Sequence, residues 1–376
     1  MATWGASECC ERGRRFADEV VDVRHLKGIS FVVVTYNSRK TIGECIASIL
    51  AQDARPIEIF VVDNASADGT PDFVDAKFPS TTVMRNDVNT GFGSASNSGG
   101  RAAHADIVAF VNPDVALGPK WSTEVVRVIG SNRGCAAAEG KLLLADEPGL
   151  INCAGSSINL LGFGCMTHYG ETALAAAKEK LVGYASGAAF AIRRDLFLRL
   201  GGFDESYFLY QEDVDLGLRV YEAGWQIRYA PSAVAYHHYK SDLSDSKVRH
   251  LEKNRWKTLA KHMPIKYFFL CGPLIAASEL GLIADLFSTG LLPSKIKAAL
   301  DFFRDLPQTL KARRIIRNAA EVPDVALQLM TDDFPAIIRR TEYSRELGKR
   351  LISTYHSAFL RRYAQAWTYG AELHDP

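Results

Sequence analysis

Three short apolar runs, Ile29–Val34, Ile57–Val62 and Ile107–Val111, each end directly in a cluster of polar residues, and this leaves the chain few folds to adopt. The runs are rich in Val, Ile and Phe, the pattern of strands buried on both faces of a parallel sheet. Between the first two lies Thr41–Gln52, in which Ile42, Cys45, Ile46 and Ile49 recur at helical spacing. Strand, amphipathic helix, strand at this interval predicts a doubly wound α/β sheet with right-handed crossovers. In such a sheet ligands bind beyond the carboxyl ends of the strands, which is where the polar clusters fall.

A length of 376 residues suits one large domain plus an appendage. Hydrophobic residues at 47% and charged residues at 23% exclude wholesale disorder. With a net charge of +1 there is no global attraction to nucleic acid, so any anion site must be local. Cys9, Cys10, Cys45, Cys135, Cys153, Cys165 and Cys271 are odd in number and show no CxxC spacing. That argues against a disulfide framework or a zinc site and for a reducing compartment. Residues 1–27 hold no apolar core of signal-peptide length, so they read as an extension and the expected location is cytoplasmic.

The α/β pattern continues to about residue 245, which predicts a catalytic domain over 28–245 and a helical region over 246–376. Within the first, Leu150–Lys180 is punctuated by Gly155, Gly162, Gly164 and Gly170 and reads as an inserted hairpin or loop that can contact an acceptor. Ser246–His262 reads as a basic helix and Tyr267–Leu292 as a mostly apolar one. The longest uncharged part of the latter, Tyr267–Ser278, is short of the roughly 20 apolar residues that a membrane span needs. Lys295, Lys297, Arg304, Lys311, Arg313, Arg314 and Arg317 follow, and an apolar helix beside a basic one suits the lipid interface. A helical pair packed on the catalytic domain is the alternative.

The polar clusters carry the chemistry. Thr35-Tyr36-Asn37 follows the first run and Asp63-Asn64-Ala65-Ser66 the second. A carboxylate there can accept hydrogen bonds from a nucleobase or ribose while Tyr36 lies against the base; loop capping is the ordinary alternative. Asn89-Thr90-Gly91-Phe92-Gly93-Ser94 leads to Asn97, and its glycines would let backbone approach a ligand closely. Asn112-Pro113-Asp114 ends the third run. Asp114 is an oxygen ligand placed where a hard divalent cation can bridge two phosphates and offset the charge gathering on a departing nucleoside diphosphate. No GxxxxGK[ST] loop offers another way to do this.

Glu212, Asp213 and Asp215 open an amphipathic helix, more carboxylates than a cap requires. The helix dipole favours their ionised forms, so a base here is modest unless burial raises its pKa. Asp215 sits four residues before Arg219 and reads as an intrahelical ion pair. His237 and His238 follow the apolar Ala233–Tyr236 run. Neighbours on a strand point to opposite faces, so at most one of the two can complete a metal site.

Taken in order, these segments resemble glycosyltransferase family 2. The matching text is FVVVTYNS at 31–38, IFVVDNASADGT at 59–70, NTGFGSASN at 89–97, VAFVNPDV at 108–115, SGAAFAIRRDLFLRLGGFDESYFLYQEDVDLGLRVYEAGW at 186–225 and AVAYHHY at 233–239. The resemblance implies a GT-A fold: a Rossmann-like mixed, mainly parallel α/β sheet flanked by helices, here with a C-terminal helical appendage. It implies that Thr35, Tyr36, Asn37 and Asp63 hold the nucleotide, with Asn89, Gly91, Phe92, Asn97, Asn112 and Asp114 completing the donor site. Asn112-Pro113-Asp114 would be a variant of the family's metal-binding DXD motif, with an amide where the first carboxylate is usual. Asp114 and His237 would hold Mg2+ or Mn2+, Asp213 would be the general base with Glu212 beside it, and Gly187, Ala188 and Tyr210 would face the acceptor.

The tail text EKNRWKTLAKHMP at 252–264 and LPQTLKARRIIRN at 306–318 is similar to that of bacterial rhamnosyltransferases. This implies a dTDP-rhamnose donor, a glycan or polyprenyl-linked acceptor, a role in cell-surface polysaccharide synthesis and a peripheral seat on the cytoplasmic face of the membrane. The residues alone leave UDP-galactose, UDP-glucose and GDP-mannose open. Two rival functions are weighed against inverting sugar transfer. A nucleotidyltransferase would carry a Gly-rich loop with a basic residue where Thr35-Tyr36-Asn37 stands, and a non-catalytic nucleotide-sugar-binding module would not need Glu212 and Asp213.

Overall fold

The first two apolar runs become adjacent parallel strands, and the third pairs with the first on its other side. This is seen in a computed structural model that describes residues 28–54, 57–240, 243–333, 350 and 352–357. The expected N-terminal extension, with Cys9 and Cys10, lies outside the described residues, as does most of the chain beyond 333.

The chain order begins β1 (Ile29–Thr35), α1 (Ile42–Leu50), β2 (Ile57–Asp63), α2 (Thr70–Lys77), β3 (Thr82–Arg85), α3 (Phe92–Ala102), β4 (Ile107–Val111), β5 (Val115–Leu117) and α4 (Trp121–Ser131). It continues with β6 (Cys135–Leu144), β7 (Ile151–Cys153), β8 (Ser156–Asn159), β9 (Gly164–Met166), β10 (Lys180–Leu181), β11 (Ala189–Arg193) and α5 (Arg194–Arg199). After a 3-10 turn at Glu205–Tyr207 come α6 (Glu212–Glu222) and β12 (Gln226–His237). The helical region holds α7 (Asp245–His262), α8 (Ile265–Ser288), α9 (Leu292–Ala319), α10 (Val325–Gln328) and the two-residue β13 (Met330–Thr331).

The main sheet runs β10-β12-β6-β11-β4-β1-β2-β3, with β5 added to β12 and β7 to β6. Strands β1 to β4 are parallel, whereas β11 is antiparallel to both β4 and β6, so the sheet is mixed as the resemblance implied. All seven residues of β1 are buried. Ile29, Phe31 and Val33 share a core cluster with Ile42, Cys45, Ile46 and Ile49 of α1 and Trp121 and Val125 of α4. On the other face Val32 meets α3 so closely that a Cβ on Gly99 would stand 2.5 Å from its Cγ1. Each such buried side chain contributes about 1.5–3 kcal/mol, which is why an unbroken apolar run forms a central strand.

The expected insertion at Leu150–Lys180 supplies four short strands. β7 extends the main sheet, and β8 and β9 join β13 in a small second sheet. No strand was expected after residue 245. β13 is too short to show a period, and its pairing with Ile158 and Asn159 of β8 is what defines it.

Two compact units divide the chain. The first comprises the described parts of Met1–Ser156, Met166–Val220 and Gly224–Lys240, and the second those of Ser157–Cys165, Tyr221–Ala223 and Ser241–Pro376. In the second, a buried ionic network ties three helices together. The fully buried Arg255 of α7 bonds Glu252 at 2.9 Å and Glu279 of α8 at 2.5 Å, and Lys295 of α9 bonds both carboxylates. Glu279 therefore does not interrupt α8, and the helix also continues through Pro273. α8 is 24 residues long with a mean hydropathy of 1.6 over an 18-residue window, so by length and composition it is long and apolar enough to cross a membrane, contrary to the expectation of a segment too short for a span.

Candidate active site

Every feature of the site lies in the first unit, where β1, β2 and β4 end at one edge of the sheet. Asp63 closes β2 opposite Thr35 of β1. Its Oδ1 accepts from Thr35 Oγ1 at 2.7 Å and Ser66 Oγ at 2.6 Å, and its Oδ2 accepts from Ser66 N at 2.9 Å. Asn37, with φ of 52°, clamps the two loops: its N–H donates to Ser66 Oγ and its side-chain oxygen accepts from Ala67 N, both at 2.8 Å. These bonds hold the loops rigid and leave Tyr36 presented outward, 55% exposed, as a platform for a planar ring.

Asn64 links this edge to the glycine segment. Its Nδ2 donates to Gly91 O at 3.1 Å, and its Oδ1 accepts from Asn86 Nδ2 at 2.8 Å and Thr90 Oγ1 at 3.1 Å. The sequence showed Asn64 only as part of a polar cluster and gave no sign of this bridging role.

The 89–97 segment corrects a sequence expectation. Gly91 is not open to a ligand: with φ of 83°, it packs so tightly that a Cβ would meet Phe208 O at 2.4 Å. Asn89 Oδ1 is taken by Gly91 N at 2.9 Å. The buried Asn97 spends its amide inside the protein, accepting from Phe203 N at 2.8 Å and donating to Phe203 O at 2.9 Å and Glu205 Oε1 at 3.1 Å. Gly91 and Asn97 thus grip the loop that precedes α6, with Asn89 bracing Gly91, because a Cβ-free close approach serves another backbone as well as it serves a ligand. Phe92 stays partly exposed, its ring beside Gly187.

That loop delivers the carboxylates. Phe203 is fully embedded among Phe92, Phe110, Phe190 and Phe197, with ring centroids 5.2–6.2 Å away. Tyr207 is buried and donates to Asp215 Oδ1. Between these anchors and α6, Phe208, Tyr210 and Gln211 adopt φ of 65°, 68° and 71°. Left-handed backbone costs a non-glycine residue roughly 1–3 kcal/mol, and such strain concentrates at functional sites. Asp215 is the structural ion pair expected, its Oδ2 bound to Arg219 at 2.8 Å.

Glu212 and Asp213 are left for chemistry. Asp213 Oδ2 accepts from Gly187 N at 3.0 Å and its Oδ1 from Val214 N at 2.8 Å. Burial raises the Asp213 carboxyl above its ordinary range, opposed by those backbone bonds. Glu212 is pushed up to about 8 by burial and then by the neighbouring Asp213 charge, and its Oε2 is buried without a hydrogen-bond partner. Burial thus raises both neighbouring carboxyls, and the charge of one adds to the rise of the other. The Tyr210 hydroxyl is raised by burial and then by Glu212. Gly187 and Ala188, expected to face an acceptor, tie elements together: Gly187 holds Asp213, and Ala188 O accepts from Asn112 N at 2.9 Å.

Asp114 and His237, the expected cation ligands, meet at the β4–β5 turn. His237 pairs with Val115 in the β5–β12 ladder, which sets its ring beside Asp114. His237 Nε2 is 3.6 Å from Asp114 Oδ1, and that carboxylate oxygen is buried with no hydrogen-bond partner. Asn152 Oδ1 lies 2.9 Å from His237 Nδ1; with the proton on Nδ1, this bond leaves the Nε2 lone pair toward Asp114. His238 turns away to Glu44 and Asp146. Among the described residues no three His, Cys, Asp or Glu side chains form a metal cluster. Two protein ligands with an orphaned oxygen fit a cation that takes its remaining ligands from substrate phosphates and water. Asn152 was missed by sequence reasoning, since its partner lies 85 residues away.

Residues 27–263 match the family described as "Glycosyltransferase like family 2". The chain is 32% identical over 263 residues to N-acetylglucosaminyl-diphospho-decaprenol L-rhamnosyltransferase of Mycobacterium tuberculosis, covering 64% of this chain and 82% of that protein. It is 27% identical over 228 residues to the pre-mycofactocin glycosyltransferase of the same organism, covering 58% of this chain and 44% of that one. Among solved structures it aligns with GalNAc-T7 with UDP, GalNAc and Mn2+ at a TM-score of 0.53 and 15% identity, a likeness of fold over 67% of this chain and 52% of that one. The chain belongs to glycosyltransferase family 2: it is a glycosyltransferase of GT-A fold that resembles the bacterial rhamnosyltransferases.

Proposed function

We propose that this enzyme transfers L-rhamnose from dTDP-rhamnose to a hydroxyl of a polyprenyl-linked glycan, with inversion at the anomeric carbon. Catalysis is assigned to residues 28–245 and membrane contact to 246–376. The observation that carries the reading is the three-residue link 186–188, which joins the Asp213 carboxylate to the Asn112–Asp114 turn through Gly187 N and Ala188 O. An inverting displacement needs one base for the acceptor and one positive site for the leaving group, held in fixed relation. The rhamnose and the lipid-linked acceptor are supported by the name of the Mycobacterium tuberculosis relative.

Tyr36 offers its ring to the nucleobase, and Asp63 Oδ2 retains lone-pair capacity for a base or ribose donor. When bound, Mg2+ or Mn2+ on Asp114 and His237 supplies positive charge to the diphosphate. Asp213 takes the acceptor hydroxyl proton as that oxygen bonds to C1. The C1–O bond to the diphosphate breaks, its electron pair leaving with the nucleoside diphosphate. Glu212, protonated below about pH 8, adds no second negative charge beside Asp213. The test is to offer dTDP-rhamnose, UDP-galactose, UDP-glucose and GDP-mannose with Mn2+ and a prenyl-diphosphate-linked N-acetylglucosamine. Release of dTDP with an inverted anomeric centre is expected; a retained centre or release of pyrophosphate overturns the reading.

The helical region supports a seat on an anionic bilayer. α8 exposes Ile265, Phe269, Leu280, Ile283 and Phe287, and α9 exposes Ile296, Leu300, Phe303, Leu310 and Ile315. Lys297, Arg304, Lys311 and Arg314 are exposed along α9 among these apolar residues. Basic side chains beside an apolar face complement anionic headgroups, and a second copy of the chain would oppose like charges there.

A further inference from the structure

Strand β6 carries a carboxylate that the reaction above does not use. Glu139 stands within the sheet between Phe190 of β11 and Tyr229 of β12, and it is 2% exposed. Its Oε1 accepts from Ser156 N at 2.6 Å; its Oε2 accepts from Ser156 Oγ at 2.8 Å and from Ser186 N at 3.0 Å. An unpaired carboxylate this deep would cost several kcal/mol, so these three donors are what keep it in place. The titratable groups around it are the Lys180 ammonium, the Tyr229 hydroxyl and the Cys153 thiol. Burial pushes the Glu139 carboxyl up to about 7, against the pull of the bonds from Ser186 and Ser156 and the Lys180 charge.

The Ser186 bond reaches beyond β6. Ser186 precedes Gly187, whose N–H holds Asp213, and Ala188, whose carbonyl holds Asn112. Three successive residues are thus fastened to three different elements, β6, α6 and the end of β4. Glu139 is the fastening at the β6 end, and it acts on the peptide next to the one that holds the base. Each carboxylate oxygen accepts from a backbone N–H, Ser156 N on one and Ser186 N on the other, so a carboxamide turned either way sets its NH2 against one of them.

We infer that Glu139 is a positioning residue for Asp213, fixing the Ala185–Ser186 peptide so that the Gly187 N–H of the next peptide holds the base in its working place. This rests on the reading of Asp213 as the base. The test measures kcat, donor KM and melting temperature of the full-length enzyme with dTDP-rhamnose for Glu139→Gln, Glu139→Asp, Ser156→Ala and Asp213→Asn. Glu139→Gln is expected to lower kcat by about 10- to 100-fold with donor KM within about twofold, since misplacement near 1 Å costs that much in rate. Ser156→Ala keeps the Ser186 bond and is expected to hold kcat within about threefold. A folded Glu139→Gln enzyme with normal kcat, or Ser156→Ala losing as much kcat as Glu139→Gln, overturns the inference and marks Glu139 as packing only. If Glu139→Gln does not fold, Glu139→Asp decides: it keeps the charge but is too short to span both serines, and normal kcat in that variant is equally fatal. Asp213→Asn separates the two ideas. Full turnover there removes the base assignment and this inference together, whereas an inactive Asp213→Asn beside a normal Glu139→Gln removes the inference alone.

Discussion

His237 Nε2 lies 3.6 Å from Asp114 Oδ1, while the other nitrogen of the same ring is 2.9 Å from the Asn152 carboxamide oxygen. A carboxamide oxygen on one ring nitrogen fixes the tautomer that leaves the other free for a cation. Asn152→Leu is therefore expected to weaken Mn2+ affinity by about 10- to 100-fold, read as a rightward shift when activity of the metal-stripped enzyme is titrated with Mn2+. His237→Ala should act in the same direction and more strongly. His238→Ala should leave the titration unchanged, because that ring is engaged with Glu44 and Asp146. Equal effects of the two histidine variants would disprove the assignment of His237.

Asp213→Asn removes the proton acceptor and keeps an amide oxygen for Gly187 N, with its NH2 then set against Val214 N. Loss of kcat by about 10²- to 10⁴-fold is expected, the usual range for a general base, with donor-induced thermal stabilisation retained. Loss of the donor-induced shift along with kcat would instead place Asp213 in donor binding.

Glu212 yields a pH prediction whose sign follows from its raised pKa of about 8 against an ordinary value of 4.5. The folded state binds this proton more tightly than the unfolded chain, so the contribution to stability is full below about pH 4.5. It is lost as pH rises through about 8. Glu212→Gln, which cannot ionise, should leave the melting temperature near wild type at pH 4.5 and raise it at pH 8.5. About 2–4 °C is expected for each kcal/mol recovered in a domain of this size. A variant less stable than wild type at pH 8.5 would mean that the ionised carboxylate has a partner in the fold.

The sequence made the strands legible because their signal is local. An unbroken apolar run and helical spacing in Ile42–Ile49 fix β1, α1 and β2 without long-range information. The site was legible as a set of strand-end polar residues, but its wiring was not. The bonds Gly187–Asp213, Ser186–Glu139 and Asn152–His237 span 26, 47 and 85 residues. The left-handed turn at Phe208, Tyr210 and Gln211 contains no glycine to announce it, since aromatic packing of Phe203 and Tyr207 imposes it. Gly91 and Asn97 were read toward a ligand because close approach and amide chemistry look alike whether the partner is a substrate or a loop. The uncharged run ends at Ser278 in the sequence because the partners that neutralise Glu279, Arg255 and Lys295, come from other helices.

The same neutralisation shapes the last prediction. With Glu279 drawn into the network beneath α8, the outward side of that helix is apolar from Ile265 to Phe287, with Phe269 at 80% and Phe287 at 73% exposure. Burying a phenylalanine in the acyl region contributes about 1.5–3 kcal/mol, so a Phe269→Asp, Phe287→Asp double variant should lose about tenfold or more in vesicle affinity. The basic residues of α9 add roughly 1 kcal/mol each near an anionic surface and are screened by salt. Co-sedimentation is thus expected with phosphatidylglycerol-containing vesicles at low salt, to weaken at high salt, and to be poor with pure phosphatidylcholine. Both positions belong to the second unit and the strand-end residues to the first, so turnover of a short, water-soluble acceptor should stay normal in the double variant while turnover of the lipid-linked one falls. Unchanged sedimentation would assign these aromatic side chains to a protein partner instead, and equal loss on both acceptors would trace the defect to folding, which melting temperatures resolve.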